Sequence, residues 1–237
     1  MGKLFNIVNK YLEQIVLFEQ RCVLCGCTSD KQICADCFHE LNEETIHHTH
    51  CPRCLINLPP KEIHCANCSE NNFQFERIIK AFDYGHPLDR ILHQLKYSAK
   101  LEYTSLLSQL FWHKISRQLH ELPDAIIPIP LHKNKQQQRG FNQVHELLRE
   151  FRQQNPKTPL IIAQRTKETQ QQAALNRQQR LTNLTNAFMI DIPLAGKKVA
   201  IIDDVVTSGT TVNEMTKLCK KLGAQQVTIW CLMRAQH

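Results

Sequence analysis

The sequence predicts an α/β protein: a mainly parallel sheet with helices on both faces, preceded by a small cysteine-rich module. Three observations carry this. Apolar runs of strand length at 77–84, 124–130, 199–202 and 227–232 alternate with stretches whose apolar residues recur at three and four, the pattern of β-α-β units. The run Val199-Ala200-Ile201-Ile202 has no polar alternation, as expected of a strand covered on both faces. Nine of the eleven cysteines fall between Cys22 and Cys68, ahead of the first strand.

A chain of 237 residues, 42% hydrophobic and 22% charged, suits one domain of about 150 residues plus a smaller module. The expected boundaries are 1–20, 21–72 and 73–237. In the first segment Leu4, Phe5, Val8, Tyr11, Leu12, Ile15 and Val16 predict an amphipathic helix over 3–18. Few basic residues flank that face, which favours packing on the protein's own body over a membrane surface. No apolar stretch reads as a secretory leader or reaches membrane-spanning length. A cytoplasmic setting with reduced thiols, and no membrane insertion, is therefore expected. The net charge of +7 is compatible with phosphorylated ligands or nucleic acid.

Four C-x-x-C pairs follow: Cys22/Cys25, Cys34/Cys37, Cys51/Cys54 and Cys65/Cys68. Each can present two thiolates to one metal, and two pairs complete a tetrahedral zinc site with no open position. Two structural zinc ions are thus expected. Gaps of eight residues after Cys25 and ten after Cys54 favour neighbouring pairs sharing a zinc; the alternative is a cross-braced pairing, first with third and second with fourth. With few apolar residues between the knuckles, the segment is expected to need metal to fold. Cys27 is left over, and His47, His48, His50 and His64 read as solvated loop residues. The polar positions Asn67, Ser69, Asn71 and Asn72 read as a linker.

Beyond the linker, strand 77–84 leads into a helix bearing Leu88, Ile91, Leu92 and Leu95, then Lys96 and Tyr97. Lys96 lies just past the apolar face, where it is either solvated or within reach of a phosphate. A longer helix is expected over 101–119. Strand 124–130 ends in prolines, which suit a strand terminus. The loop 131–143 carries His132, Lys133, Lys135 and Arg139, with Gly140 before a helix expected over 141–151: a basic loop at a helix start, and a candidate anion site. A short strand is expected at 160–163 and another at 187–190. Between them the stretch 164–186, rich in Gln, Arg and Thr, reads as a mobile lid bearing Arg165, Lys167, Arg177 and Arg180; a disordered linker is the rival reading.

The chain is organised around 199–212, VAIIDDVVTSGTTV. The apolar strand runs into Asp203 and Asp204, then into a polar loop, Thr207, Ser208, Gly209, Thr210 and Thr211. An amphipathic helix follows through Val212, Met215, Leu218, Cys219 and Leu222 and stops at Gly223. Unpaired N–H groups and the dipole at the helix start favour an anion, Gly209 lets the backbone curl round a phosphate, and the hydroxyls add donors. The acidic pair is placed to accept from sugar hydroxyls or to meet a divalent metal. No Walker-type or dinucleotide-type glycine loop is present.

The 199–212 stretch resembles the signature of type I phosphoribosyltransferases. That resemblance implies that Asp203 and Asp204 hold the ribose hydroxyls of phosphoribosyl pyrophosphate (PRPP), and that residues 207–211 hold its 5′-phosphate. The four C-x-x-C pairs, PIPLH…RGFNQ at 128–143, the RTKETQQQ…TNAF run at 165–188 and IIDDVVTSGTT at 201–211 together resemble the ComF/GntX family of phosphoribosyltransferase-like proteins over nearly the full chain. The family implies a type I phosphoribosyltransferase fold at 73–237 behind a double zinc ribbon at 21–72, Mg²⁺ accompanying PRPP, and a role in natural transformation, in the handling of imported single-stranded DNA. His132, Arg139 and Gly140 would face pyrophosphate under the 164–186 lid, with Lys96 a further PRPP contact. Purine-salvage relatives carry an acid where Thr207 stands, so purine transfer by that route is not implied; Thr does occur there in relatives acting on orotate.

Three functions follow as expectations. The first in rank is a PRPP-binding competence protein making weak, salt-sensitive contact with single-stranded DNA through its phosphate backbone; aromatic content of 7% does not suggest a stacking groove. The alternative is an active phosphoribosyltransferase passing phosphoribose to an unidentified acceptor with release of pyrophosphate, chiefly by positioning and electrostatic stabilisation. No catalytic base is identifiable. The third is docking of a competence helicase or other DNA-uptake protein on the zinc module.

Overall fold

The computed structural model describes residues 20–43, 50–59, 62, 65–98, 100–166 and 187–236. The expected helix over 3–18, His47, His48, His64, and lid residues Lys167, Arg177 and Arg180 lie outside these. The chain divides into two compact units, 1–47 and 48–237.

In the first unit Cys22 opens a knuckle in which its N–H donates to Cys27 O (2.8 Å) and Gly26 N–H donates to Cys22 O (2.9 Å). A bridge joins Arg21 to Thr28. Helix α1, Ala35–Asn42, starts at Cys34, whose sulfur accepts from Cys37 N–H at 3.4 Å. The second unit opens on the same plan. Cys51 N–H donates to Ile56 O and Leu55 N–H to Cys51 O, both 2.9 Å, a bridge joins His50 to Asn57, and helix α2, Ala66–Asn71, starts at Cys65. The cysteine-rich region is thus a duplicated knuckle-plus-helix. The polar stretch expected to be a linker is α2, closed by Asn72 in the left-handed region (φ 44°). Its asparagines bond back along the turn, Asn71 Nδ2 to Asn67 O at 2.7 Å, so polarity there marks an exposed short helix.

The remainder of the second unit holds β1 (Ile78–Asp83), α3 (Leu88–Ser98), α4 (Tyr103–Ser116), β2 (Ala125–Pro128), α5 (Lys133–Arg139), α6 (Gln143–Leu147), α7 (Arg149–Gln154), β3 (Gln164–Arg165), β4 (Phe188–Met189), β5 (Lys198–Val206), α8 (Thr210–Lys221) and β6 (Gln226–Arg234). Four strands form one parallel sheet in the order β1-β6-β5-β2. Most residues of the two central strands are buried, and period-two alternation sorts their side chains between two cores. Val199, Ile201, Val227, Ile229 and Cys231 pack with Val212, Met215 and Cys219 of α8. On the other face Trp230 meets Trp112 of α4 (centroids 6.3 Å) and Phe151 of α7 (5.8 Å). Helices cover both faces, as the sequence predicts.

Three local expectations need correction. The basic loop contains a helix, α5: KNKQQQR is a run of good helix formers, and the His132 ring caps it by accepting from Asn134 N–H (3.3 Å). The single helix expected over 141–151 is two, α6 and α7, the first capped by Asn142. The strand expected at 160–163 makes only a single bridge, Leu160 with Ile126; pairing resumes at β3, antiparallel to β4. Residues 164–165 therefore lie beside 188–189.

Candidate functional site

Parallel strands deliver their carboxyl ends to one edge of the sheet, where ligands of open α/β folds bind. There β5 runs into the loop 207–211. Gly209 takes φ +81° and forms the N-cap of α8. Having no side chain, it cannot cap the first-turn N–H groups, which leaves that end of the helix suited to an anion. Ser208 Oγ and Thr210 Oγ1 lie 2.9 Å apart. Asp203 and the loop, through Val212, line one concavity.

The two acids, adjacent in sequence, leave opposite faces of β5 and meet different partners. Asp204 is 5% exposed. It pairs with Lys96 Nζ of α3 at 2.6 Å and accepts from Gln143 Nε2 of α6 at 2.7 Å. Gln143 Oε1 in turn accepts from the Arg139 guanidinium, which also lies over the Tyr97 ring at 5.6 Å. Lys96, Arg139 and Asp204, read from separate stretches of sequence, are thus joined in one relay. Asp203 lies on the face of Cys231, lines the loop concavity and feels the charge of Arg165. Burial, and then the charge of Asp204, push the Asp203 carboxyl up to about 8, against the pull of Lys96. Burial holds Arg165 below the usual arginine range, with Asp203 opposing.

His132 and Gly140 sit at the two ends of α5, the histidine as N-cap and the glycine, at φ +80°, as C-cap. Sequence reasoning missed Gln143 and Arg234. Gln143 carries no charge and begins a different helix from Arg139, so no local spacing announced their contact. Arg234, in the last strand, is fully buried and had no motif to announce it.

The phosphoribosyl transferase domain model matches residues 113–237. DNA utilization protein YhgH of Escherichia coli (strain K12) is 34% identical over 194 residues, covering 78% of this chain and 84% of that protein. Competence protein F of Haemophilus influenzae is 29% identical over 230 residues, 92% and 98% of the two chains. Competence protein ComFC of Streptococcus pneumoniae is 26% identical over 235 residues, 90% and 100%. The chain belongs to the ComF/GntX family of phosphoribosyltransferase-like proteins.

Each unit of this ComF/GntX member holds one sulfur cluster that could take a metal ion, built from neighbouring C-x-x-C pairs. Cys51, Cys54, Cys65 and Cys68 hold their sulfurs within 4.8 Å of one another, with Cys51–Cys68 at 3.7 Å and Cys54–Cys65 at 3.5 Å. Zn–S bonds of about 2.3 Å in a tetrahedron separate sulfurs by about 3.8 Å, so this set fits a zinc ion. In the first unit Cys22, Cys25, Cys27 and Cys34 meet the same 4.8 Å limit, with Cys25–Cys34 at 3.7 Å. Cys37 contacts the sulfurs of Cys25, Cys34 and Cys22, so five thiols converge where four ligands suffice. Cys27 stands where the second knuckle has Ile56, an extra thiol that C-x-x-C spacing alone does not reveal. Backbone N–H groups aim at these sulfurs: although burial opposes it, donors from Cys25, Cys34 and Leu24 bring the Cys22 thiol down to about 6, an arrangement ready for thiolate ligands.

Proposed function

We propose that this protein binds PRPP at the carboxyl end of β5 and serves natural transformation in the cytoplasm, in the handling of imported single-stranded DNA. The observation that carries the reading is the junction of a glycine-turned hydroxyl loop, a helix start whose N-cap is a glycine without a side chain, and two carboxylates on one strand. Residues 207–211 take the 5′-phosphate, Asp203 and Asp204 the ribose hydroxyls, and Arg139 with Lys96 the pyrophosphate. Asp203, the carboxylate that lines the loop, has the oxygen chemistry Mg²⁺ takes; bound with PRPP, the ion would offset the charge of the diphosphate. The transformation role is supported by relatives named for competence and DNA utilization. The phosphoribosyl transferase domain match favours a second reading, turnover of PRPP with an acceptor. No residue at the site is assigned as its base, Thr207 being exposed and uncharged.

Calorimetric titration of the zinc-loaded protein with PRPP and Mg²⁺, beside the Asp203→Asn/Asp204→Asn variant, tests the proposal. Saturable binding that the variant loses is expected. A folded wild type that binds no PRPP overturns it.

A further inference from the structure

Arg234 ends β6 fully buried, and its hydrogen bonds go to backbone carbonyls. Nε donates to Cys54 O at 2.8 Å. Nη1 donates to Val206 O at 2.9 Å, to Thr207 O, and to Ala235 O at 2.6 Å. One guanidinium therefore spans from the second metal knuckle to the first residues of the phosphate loop. A buried cation without a counter-charge is costly. Four thiolates around one Zn²⁺ carry a net negative charge, and the Cys54 carbonyl bonded to Nε joins the guanidinium directly to one of those ligands.

Two further connections run the same way. Arg53, inside the Cys51–Cys54 knuckle, donates to Phe73 O (2.6 Å) and Phe75 O (2.9 Å). The Phe73 ring lies against Gly209, 3.1 Å from where a Cβ would stand. Asn213, in the first turn of α8, accepts from Gln74 N–H at 2.8 Å and donates to Asn71 O of α2 at 3.5 Å. The loop is thus braced from both halves of the Cys51–Cys68 cluster.

We infer that metal at Cys51, Cys54, Cys65 and Cys68 is coupled to anion binding at residues 207–211, with Arg234 as the positioning residue between them. The second zinc centre then serves as the base of the phosphate pocket. This rests on the loop being the phosphate pocket of the proposed function. Coupling between sites is reciprocal, so bound PRPP must tighten zinc at this centre.

The test is a zinc-buffered titration of the full chain with and without saturating PRPP and Mg²⁺. Occupancy of each centre is read by alkylation of its cysteines and peptide mass. The expected result is at least a tenfold gain in zinc affinity at Cys51–Cys68 and none at the Cys22–Cys37 cluster. Arg234→Lys keeps the charge but cannot span both sets of carbonyls; it should retain zinc and reduce the coupling below twofold. Should that variant fail to fold, the wild-type titration decides alone. PRPP binding that leaves zinc affinity unchanged, or shifts both centres equally, overturns the inference while the proposed function stands. No PRPP binding at all overturns both.

Discussion

Asp203 and Asp204 show how much one residue of register changes. Both were legible as an acid pair at the carboxyl end of an apolar strand, but alternation along β5 gives Asp204 to Lys96 and Gln143 and leaves Asp203 facing the loop concavity. The elevated Asp203 value has a consequence for stability. A carboxyl at about 8 in the folded state and about 3.9 when unfolded means that the folded state holds the extra proton between those values. Stability therefore falls as pH rises from about 4 to 8 and levels off above. Asp203→Asn removes this loss. Its melting temperature should exceed that of the wild type by several degrees at pH 8 and converge with it near pH 4. A difference that does not vary with pH would show that Asp203 titrates normally. His132 gains a task that its place in the basic loop did not announce: its ring caps α5, because Lys133 to Arg139 is helical.

At the scale of elements, the order strand, loop, helix from β5 to α8 was legible, although β5 runs on through both acids to Val206. An unbroken apolar run, turn residues and a 3–4 repeat ending in glycine all act locally. The neighbours were less so. Helix α5 was hidden by its charge, and α2 by its asparagines, because both are short and bury little. Gly209 and Gly140 separate two reasons for glycine. Each adopts φ near +80°, but only Gly209 faces a ring, while nothing lies within 4 Å of a Cβ on Gly140. Either change to Ala carries a left-handed strain of about 1–2 kcal/mol. Gly209→Ala must also displace Phe73, so it should be the more destabilising in urea and should abolish PRPP binding. Equal losses in the two variants would mean that the Phe73 contact is slack.

Across the whole molecule, the two units are expected to depend on metal to different degrees. Among the described residues of the first unit only Cys22, Ile33 and Cys37 are buried, too little apolar surface to hold a fold without zinc. The sheet unit has cores on both faces, with Trp112 and Trp230 buried in one of them. Full chelation should expose 20–43 to limited proteolysis while tryptophan emission stays at its native wavelength. Persistent protection of 20–43 in metal-free protein would show that its fold does not need the ion.

The sequence by itself determined the α/β class, the alternation of strands and helices, the hydroxyl-and-glycine loop at 207–211, the acids beside it and the presence of two cysteine clusters. These are written in short-range terms: periodicity, turn chemistry and ligand spacing within a few dozen residues. Tertiary structure chose the neighbouring pairing of cysteines, which spacing favoured, over the cross-braced one, and it alone decided that Cys27 joins the first cluster, that Gln143 links Arg139 to Asp204, and that Arg234 ties Cys54 to the loop. Those contacts join residues up to 180 positions apart. They depend on strand register and on which face a side chain leaves, and the packing of the sheet sets both.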